Sequence, residues 1–520
     1  MSDICQDLAA GLRSVIGADA VFDDAASLEL FGQDVSGDAH PVSLVARPNN
    51  TEALVNIVKF AAKHDLAIAP RGGGMSYSSG YVCQRSGVIA LDSSAMNRVL
   101  EVNKEDMYVT VEAGCTWHTL HETLEPLGLR TPFWGTLSGL KASVGGGLSQ
   151  NSIFWGSGRH GAAADSVLGF EIVLGSGEIL STGGGVKSGG SPFFRHYGPD
   201  LTGIFTSDTG ALGIKATATL RLLPVLPGKA FASFEFDGHA DMIAAMSEVS
   251  RGALAEACFG FDPGLATQRM KRASLMQDVK TLGNVVKARG IGEGLRLAGK
   301  GRGFMKNVQF SAHFMVEEAT EAAADAANER IRNICLDKGG REIENSIPKI
   351  SRSMPFPPLN SMIGPEGERW LPVHGLIPHS KALATFEAVE ALFDANAEVM
   401  DRHDIVRGYM LTYVGTSCFV IEPVFYWPDE LNALHRQTVD DAMLKKVNPH
   451  AKNLAARGEV MRLRGEVIGI LGEMGALHLQ IGRSYPFQAD IKAAPKEVIR
   501  GLKQLLDPEG RINPGSLGLE

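Results

Sequence analysis

Apolar and polar positions along this chain recur in two periods, and the places where one period gives way to the other mark its elements. Ile4, Leu8, Leu12, Val15 and Ile16 fall at helical spacing, which predicts a short amphipathic helix over residues 3–16 that docks on the main domain. Residues 41–48 read as a strand and 51–61 as an amphipathic helix. The apolar run Leu66, Ala67, Ile68, Ala69 then reaches Pro70 and Arg71 and breaks into three consecutive glycines, as a strand entering a tight turn does. Two further strands are predicted at 88–92 and 108–114, and a helix at 118–127 that ends near Gly128. From Val42 to about Leu223, strands alternate with helices or glycine turns, which predicts two small α/β subdomains rather than one doubly wound sheet.

A Pro/Gly stretch at 224–228 changes the pattern. Beyond it we expect a strand at 231–236, a helix at 240–250, a strand at 309–315 and helices at 319–338 and 380–400. A hairpin of 407–413 with 417–427 turns at Val414, Gly415 and Thr416. The fold class is α+β: an N-terminal domain over 1–225, a cap over 226–475 with an antiparallel sheet, and a C-terminal segment, 476–520, returning to the first domain. Residues 272–307 are rich in Lys, Arg and Gly and almost free of aromatics. They suit a basic surface helix touching an anionic membrane or a quinone-bearing partner; a solvated helical excursion or flap is the reading we prefer.

Composition narrows the function classes. A chain of 520 residues exceeds one compact core, and 44% apolar with 21% charged residues describes an ordinary globular protein. The net charge of -9 argues against nucleic acid as partner. No apolar run approaches the roughly 20 residues a spanning helix needs, and the first residues lack a basic start before a long apolar core, so a cytoplasmic protein is expected. The six cysteines show no CxxC pair and no His/Cys cluster at metal spacing, so neither a metal nor a disulfide framework is expected.

The chemistry begins at the glycines. Gly72, Gly73 and Gly74, followed by Ser76, offer unobstructed backbone N–H groups in a concave loop, the arrangement that holds phosphate oxygens. The loop fits neither the P-loop pattern nor GxGxxG. Its surroundings are more specific. The glycine turn, the strands on either side, Thr136 to Gly147 (TLSGLKASVGGG), Gly158-Arg159-His160-Gly161, Val167 to Leu174 (VLGFEIVL), Thr209 to Ile214 (TGALGI) and Leu506 to Gly515 (LDPEGRINPG) come in one order. This set resembles the vanillyl-alcohol oxidase and p-cresol methylhydroxylase superfamily, whose FAD-binding domain receives the flavin pyrophosphate at the glycine turn.

The resemblance implies FAD as cofactor. It assigns the pyrophosphate to Pro70, Arg71, Gly72, Gly73, Gly74, Met75 and Ser76, and the ribityl chain and ring to Ser143, Gly146, Gly147, Gln150 and Asn151. Backbone at Gly210 and Ile214 matches the adenosine side, and Thr136, Gly158, Gly213 and Asn513 belong to the same matched motifs. Members that tether FAD carry a His right after the glycines or on the strand resembling Cys418-Phe419. Met75 stands at the first place and no His at the second, so FAD is expected without a covalent link.

Substrate contacts should come from the cap. By the two-residue period Arg407, Tyr409, Leu411 and Tyr413 share one face, and Cys418, Val420, Glu422, Val424 and Tyr426 share another. Arg407 with two tyrosines would bind a phenolate or carboxylate, and Glu422 would act as base or orient a substrate hydroxyl. Arg483 and Tyr485 lie where the phenol-oxidising branch of the superfamily holds a phenolate, although order and spacing differ. His374 and His478 are candidate proton acceptors. The GHxGDGNxH and EHG stretches of the 2-hydroxy-acid branch are missing; Glu473-Met474-Gly475 comes nearest to the second.

The expected function is therefore an FAD-dependent oxidoreductase acting on a phenolic or aromatic alcohol or a 4-alkylphenol. It would pass electrons to oxygen, a quinone or a cytochrome, and a homo-oligomer is expected. The alternatives are a 2-hydroxy-acid dehydrogenase of the lactate or glycolate type and a non-catalytic FAD-binding subunit of a larger complex.

Overall fold

The computed structural model describes residues 3–37, 40, 42–272 and 309–520. The basic stretch at 272–307 thus lies, beyond Arg272, outside the described residues. Asp3–Ile16 is a helix whose Leu12 and Ala9 are buried with Leu54, Ile57 and Ala61 of the helix Thr51–Lys63. Asn50 starts that second helix by accepting the Ala53 N–H on its side chain.

Beneath it lies a four-stranded sheet in the order Val21–Phe22, Leu44–Ala46, Val88–Asp92, Ala67–Arg71. The last three strands are parallel, and all three are buried almost throughout, as strands covered on both faces must be. The glycine loop leaves from the C-terminal end of Ala67–Arg71. The second subdomain is a five-stranded antiparallel sheet: Val99–Asn103, Tyr108–Glu112, Ile214–Arg221, Val167–Val173, Ile179–Ser181. The alternation expected there as a second α/β unit is thus an antiparallel one.

The cap is built on an antiparallel sheet of eight strands. Its order is Arg341–Glu342, Gly228–Phe236, Phe310–Glu318, Ala257–Phe261, Val406–Val414, Cys418–Trp427, Arg369–Pro372, with Gly375–Pro378 also paired to Cys418–Trp427. Helices His239–Arg251, Glu321–Asp337, Ala382–Ala395 and Leu454–Glu473 cover one face and close a core around Phe234, Phe314, Phe386, Phe393, Tyr409, Tyr413 and Phe425. The other face turns toward the glycine loops.

A buried ionic cluster joins the two halves. Arg130 lies 2.9 Å from Glu256 and 3.5 Å from Glu317, Arg352 lies 3.0 Å from Glu317, and Trp134 Nε1 donates to Glu256 at 3.1 Å. Burial pushes the Glu256 carboxyl up, while Arg352 and Arg130 hold Glu317 down. The last residues then run back under the first domain: Ile68 N–H donates to Arg511 O, and Asn513 N–H to Ile68 O.

Candidate active site

One elongated cavity runs between the two glycine-rich segments and under the cap sheet. At its first-domain end it is lined by Pro70 to Tyr77, Leu91, Ser93, Met96, Gly210, Gly213, Ile214 and Lys215. Thr136, Ser143, Gly145, Gly146, Gly147 and Gln150 form its middle.

The glycines there do two jobs. A Cβ on Gly73 would collide with the Lys141 carbonyl and one on Gly72 with Ser143 Oγ, so their absence lets the 71–76 loop close on the 141–147 segment. Gly74 has φ 76° and sits over the Arg71 guanidinium, where a side chain would be strained and blocked at once. The same bareness leaves amides open. The N–H groups of Gly73, Gly74, Met75 and Ser76 donate to no acceptor among the described residues. Four successive unpartnered donors on residues that line a cavity suit a diphosphate.

A second polar group points the same way. Gln150 Oε1 is buried on the cavity wall with no donor among the described residues, an acceptor suited to a hydroxyl or N–H of a bound flavin. The residues present therefore fit FAD: the four amides to its phosphates, Gln150 to its chain or ring, and the Pro70, Leu91, Met96 and Ile214 surroundings to its adenine end.

The loop is held from behind. Asp34, buried, accepts from Ser79 N–H at 2.7 Å and from Ser36 N–H at 2.8 Å, Ser76 Oγ accepts from Gly80 N–H at 3.1 Å, and Tyr81 donates to Gly74 O at 2.9 Å. Arg71 spreads its guanidinium over the Phe31 ring at 4.3 Å and also lines the cavity, its Nε buried with no partner among the described residues.

The cap end of the cavity is lined by Tyr77, Phe154, Trp370, His374, Met410, Thr412, Glu422, Val424, Tyr426 and Gln480. Strand register explains which side chains arrive. Met410 lies opposite Glu422, Thr412 opposite Val420 and Gly408 opposite Val424, so these pairs share the cavity face. Tyr77 is tied to this end: Gln480 Nε2 donates to its hydroxyl at 2.8 Å, and His374 Nε2 lies 3.3 Å away. His374 Nδ1 lies 3.0 Å from the Tyr485 hydroxyl, which also accepts the His374 backbone N–H at 3.1 Å. Burial, with His478 and Arg464 nearby, pushes the His374 pKa down to about 3. Burial, then the Glu422 charge, raises that of Tyr77.

Several expected contacts are placed elsewhere. Arg407 and Tyr413 stand on the opposite face of their strand from Met410 and Thr412. Tyr413 is buried in the cap core with its hydroxyl unpartnered, and Arg407 pairs with Glu390 at 2.9 Å among the covering helices. Arg483 is a clamp: it donates to Ser79 O at 2.7 Å, Asn513 Oδ1 at 2.8 Å and Pro514 O at 2.6 Å. Asn513 completes the clamp by donating to Gly80 O and Thr209 O, and does not line the cavity. Asn151, at φ 50°, accepts from Ala164 N–H. Gly158 gives room for the Ala255 and Glu256 carbonyls at the junction of the halves. Tyr485 and His478 stand behind His374, His478 stacked on Tyr485 at 4.2 Å and bonded through Nδ1 to the His374 carbonyl.

Tyr77, Gln480, Met410, Thr412, Trp370 and Asp34 escaped the sequence reading. An aromatic residue inside a Gly/Ser loop was the available signal for Tyr77. Nothing in the local pattern marks Gln480 or Asp34, whose partners lie hundreds and tens of residues away. Among the described residues no group of three His, Cys, Asp or Glu could hold a metal ion, and no helix is long and apolar enough to cross a membrane.

The family described as FAD binding domain matches residues 42–183. Glycolate oxidase subunit GlcD of Bacillus subtilis is 30% identical over 224 residues, 42% of this chain and 46% of that protein, so the match spans less than half the length of this curated relative. Among solved structures, p-cresol methylhydroxylase with substrate bound superposes with a TM-score of 0.74 at 16% identity, covering 100% of this chain and 98% of that one. The 4-ethylphenol oxidase of Gulosibacter chungangensis in complex with isoeugenol gives 0.71 at 18% identity, with coverage of 100% and 98%. At such identities the likeness is one of fold. Residues 42–183 match an FAD binding domain, and the whole chain shares the fold of p-cresol methylhydroxylase and 4-ethylphenol oxidase.

Proposed function

We propose that this chain is an FAD-dependent oxidoreductase that oxidises a phenolic or aromatic alcohol or a 4-alkylphenol. One observation carries the substrate class: the cap end of the cavity is walled by Tyr77, Phe154, Trp370, Met410, Val424 and Tyr426, and its charged residue is Glu422. The cations among the described lining residues, Arg71 and Lys215, belong to the first domain, where Arg71 engages Phe31 and Lys215 pairs with Asp208 at 2.8 Å. A flat aromatic ring suits those walls.

FAD, when bound, supplies the two-electron acceptor. The chain holds it through the amides of residues 73–76 and Gln150, without a covalent link, Met75 standing where a tethering His would be. Glu422 takes the proton from the substrate hydroxyl, since a carboxylate within the cavity is its base nearest the aromatic walls. Tyr77 contacts the substrate oxygen. The walls exclude water and fix the ring's plane.

A second reading, a 2-hydroxy-acid dehydrogenase, is favoured by the glycolate oxidase subunit. That match leaves more than half of this chain without a counterpart, and it leaves the third reading, a non-catalytic subunit, standing beside it. Anaerobic mixing of the FAD-loaded protein with aryl alcohols, 4-alkylphenols, glycolate and D-lactate separates the three. Bleaching of the yellow colour by the aromatic compounds alone is expected. Bleaching by the hydroxy acids alone overturns the proposal, and no bleaching despite full FAD occupancy favours the subunit.

A further inference from the structure

We infer that His374 and Gln480 are positioning residues: together they occupy the acceptor sites of the Tyr77 oxygen and turn its hydrogen into the cavity, so that toward the cavity Tyr77 can only donate. This deepens the proposed function, and rests on it for the substrate's identity.

The argument starts at Tyr485. Its hydroxyl is buried, and its partners among the described residues are the His374 backbone N–H at 3.1 Å and His374 Nδ1 at 3.0 Å. An amide N–H can only donate, so the Tyr485 oxygen accepts there and its own hydrogen must go to Nδ1. Nδ1 then carries no hydrogen. Burial keeps the ring neutral, so the single ring hydrogen sits on Nε2. Nε2 faces the Tyr77 oxygen at 3.3 Å and donates to it. Gln480 Nε2 donates to the same oxygen at 2.8 Å.

A phenolic oxygen has two lone pairs, and both are now used. The remaining direction for the Tyr77 hydrogen is the cavity that Tyr77 lines. The reverse assignment, Nδ1–H toward Tyr485, would leave the Tyr485 hydrogen buried with no acceptor, a penalty of about 1–3 kcal/mol. Tyr77 is thus preorganised to receive an oxygen that is becoming negative, and disfavours one that must donate.

The test uses 4-nitrophenol bound to the FAD-loaded protein, because its colour reports its own ionisation. A hydrogen bond donated to an anion favours ionisation, so Tyr77→Phe should raise the pKa of the bound probe by about one unit over wild type. His374→Phe and Gln480→Leu should each raise it by about half a unit, since either loss lets the hydroxyl turn away. Packing damage alone would weaken the phenol and phenolate forms alike and leave the bound pKa in place. An unchanged pKa in Tyr77→Phe, or in both positioning variants, overturns the inference, as does failure of wild type to bind the probe. Should His374→Phe fail to fold, Gln480→Leu at the cavity wall decides. If no aryl alcohol bleaches the flavin while these shifts appear, the substrate reading falls and the positioning stands.

Discussion

The two ends of the cavity are built on opposite plans. At the first-domain end the working groups are backbone amides, exposed because four neighbouring residues carry no bulky side chain or none in the way. At the cap end the working groups are side chains, and each owes its place to the register of a strand or to a hydrogen bond with a residue far away in the chain. The four amides of the first end come from one contiguous run, residues 73–76; the second is assembled from Tyr77, Phe154, Trp370, His374, the Val406–Val414 and Cys418–Trp427 hairpin and Gln480. An end made of backbone tolerates no added atom. One made of side chains tolerates substitution of structure and loses chemistry.

Gly73→Ala breaks the first plan most severely. Its Cβ would be driven into the Lys141 carbonyl, a backbone atom that cannot swing aside, so the two loops must separate. The expected outcome is a protein purified nearly colourless, with FAD content by absorbance reduced at least tenfold by an order-of-magnitude reading of that clash. FAD retained at the wild-type level would mean that the loops need not touch.

Glu422→Gln attacks the second plan and should leave the first alone. FAD content is expected unchanged, while the rate of anaerobic bleaching by an aryl alcohol falls about 10²–10⁴-fold, the usual contribution of a positioned base. A variant that bleaches at the wild-type rate would show that the proton leaves by another route. A drop in FAD content would blur the distinction between the two ends.

The same contrast explains what was readable in the sequence. Three successive glycines after an apolar run announce an exposed backbone, and the ordered motifs beyond them imply the cofactor domain and the cap, whereas strand alternation alone does not separate the expected second α/β unit from the antiparallel sheet that forms there. Face selection was harder. Alternation separates Tyr409, Leu411 and Tyr413 from Gly408, Met410 and Thr412 but does not say which set meets the core, and aromatic side chains with polar tips suit either side. The burial of the bulkier set settles it: the helices Ala382–Ala395 and Leu454–Glu473 demand large apolar partners, leaving the smaller set for the cavity. On the neighbouring strand Glu422 betrayed its face, since a carboxylate opposes Phe419, Ile421 and Phe425 on the core side. Arg483 misled for another reason: a buried Arg near a cofactor loop resembles a ligand contact until its carbonyl partners are known.

Histidines near the seam sharpen the comparison in pH. His374 and His435 are buried, and burial pushes each to about 3. Their unfolded values lie near 6.5, so the unfolded chain binds more protons between these limits. Stability from each is complete above pH 6.5 and falls as pH drops toward 3, by about 1.4 kcal/mol per unit for each. Urea midpoints at pH 7.5 and 5 should differ accordingly. His435→Gln, close to Asn432, which bonds Asp34 O and Gly37 O, should flatten that dependence without altering bleaching kinetics at pH 7.5. An equal slope in the variant would place the acid sensitivity elsewhere.

Tyr413→Phe is the mildest case and the cleanest, because it tests the face rather than the chemistry. If Tyr413 lined the cavity, losing its hydroxyl would slow substrate oxidation. It stands instead on the core face opposite Phe419, with its oxygen buried and unpartnered and its ring held by the helices above. Burying an unsatisfied hydroxyl is unfavourable, so removing it should raise the unfolding free energy by roughly 1 kcal/mol while the ring keeps its contacts. Bleaching rates with aryl alcohols should stay within about twofold, as for substitutions that add no strain and leave the cavity wall intact. A slower reaction in a protein of unchanged or greater stability would put this strand's other face in the cavity and reverse the assignment of Met410 and Thr412 along with it.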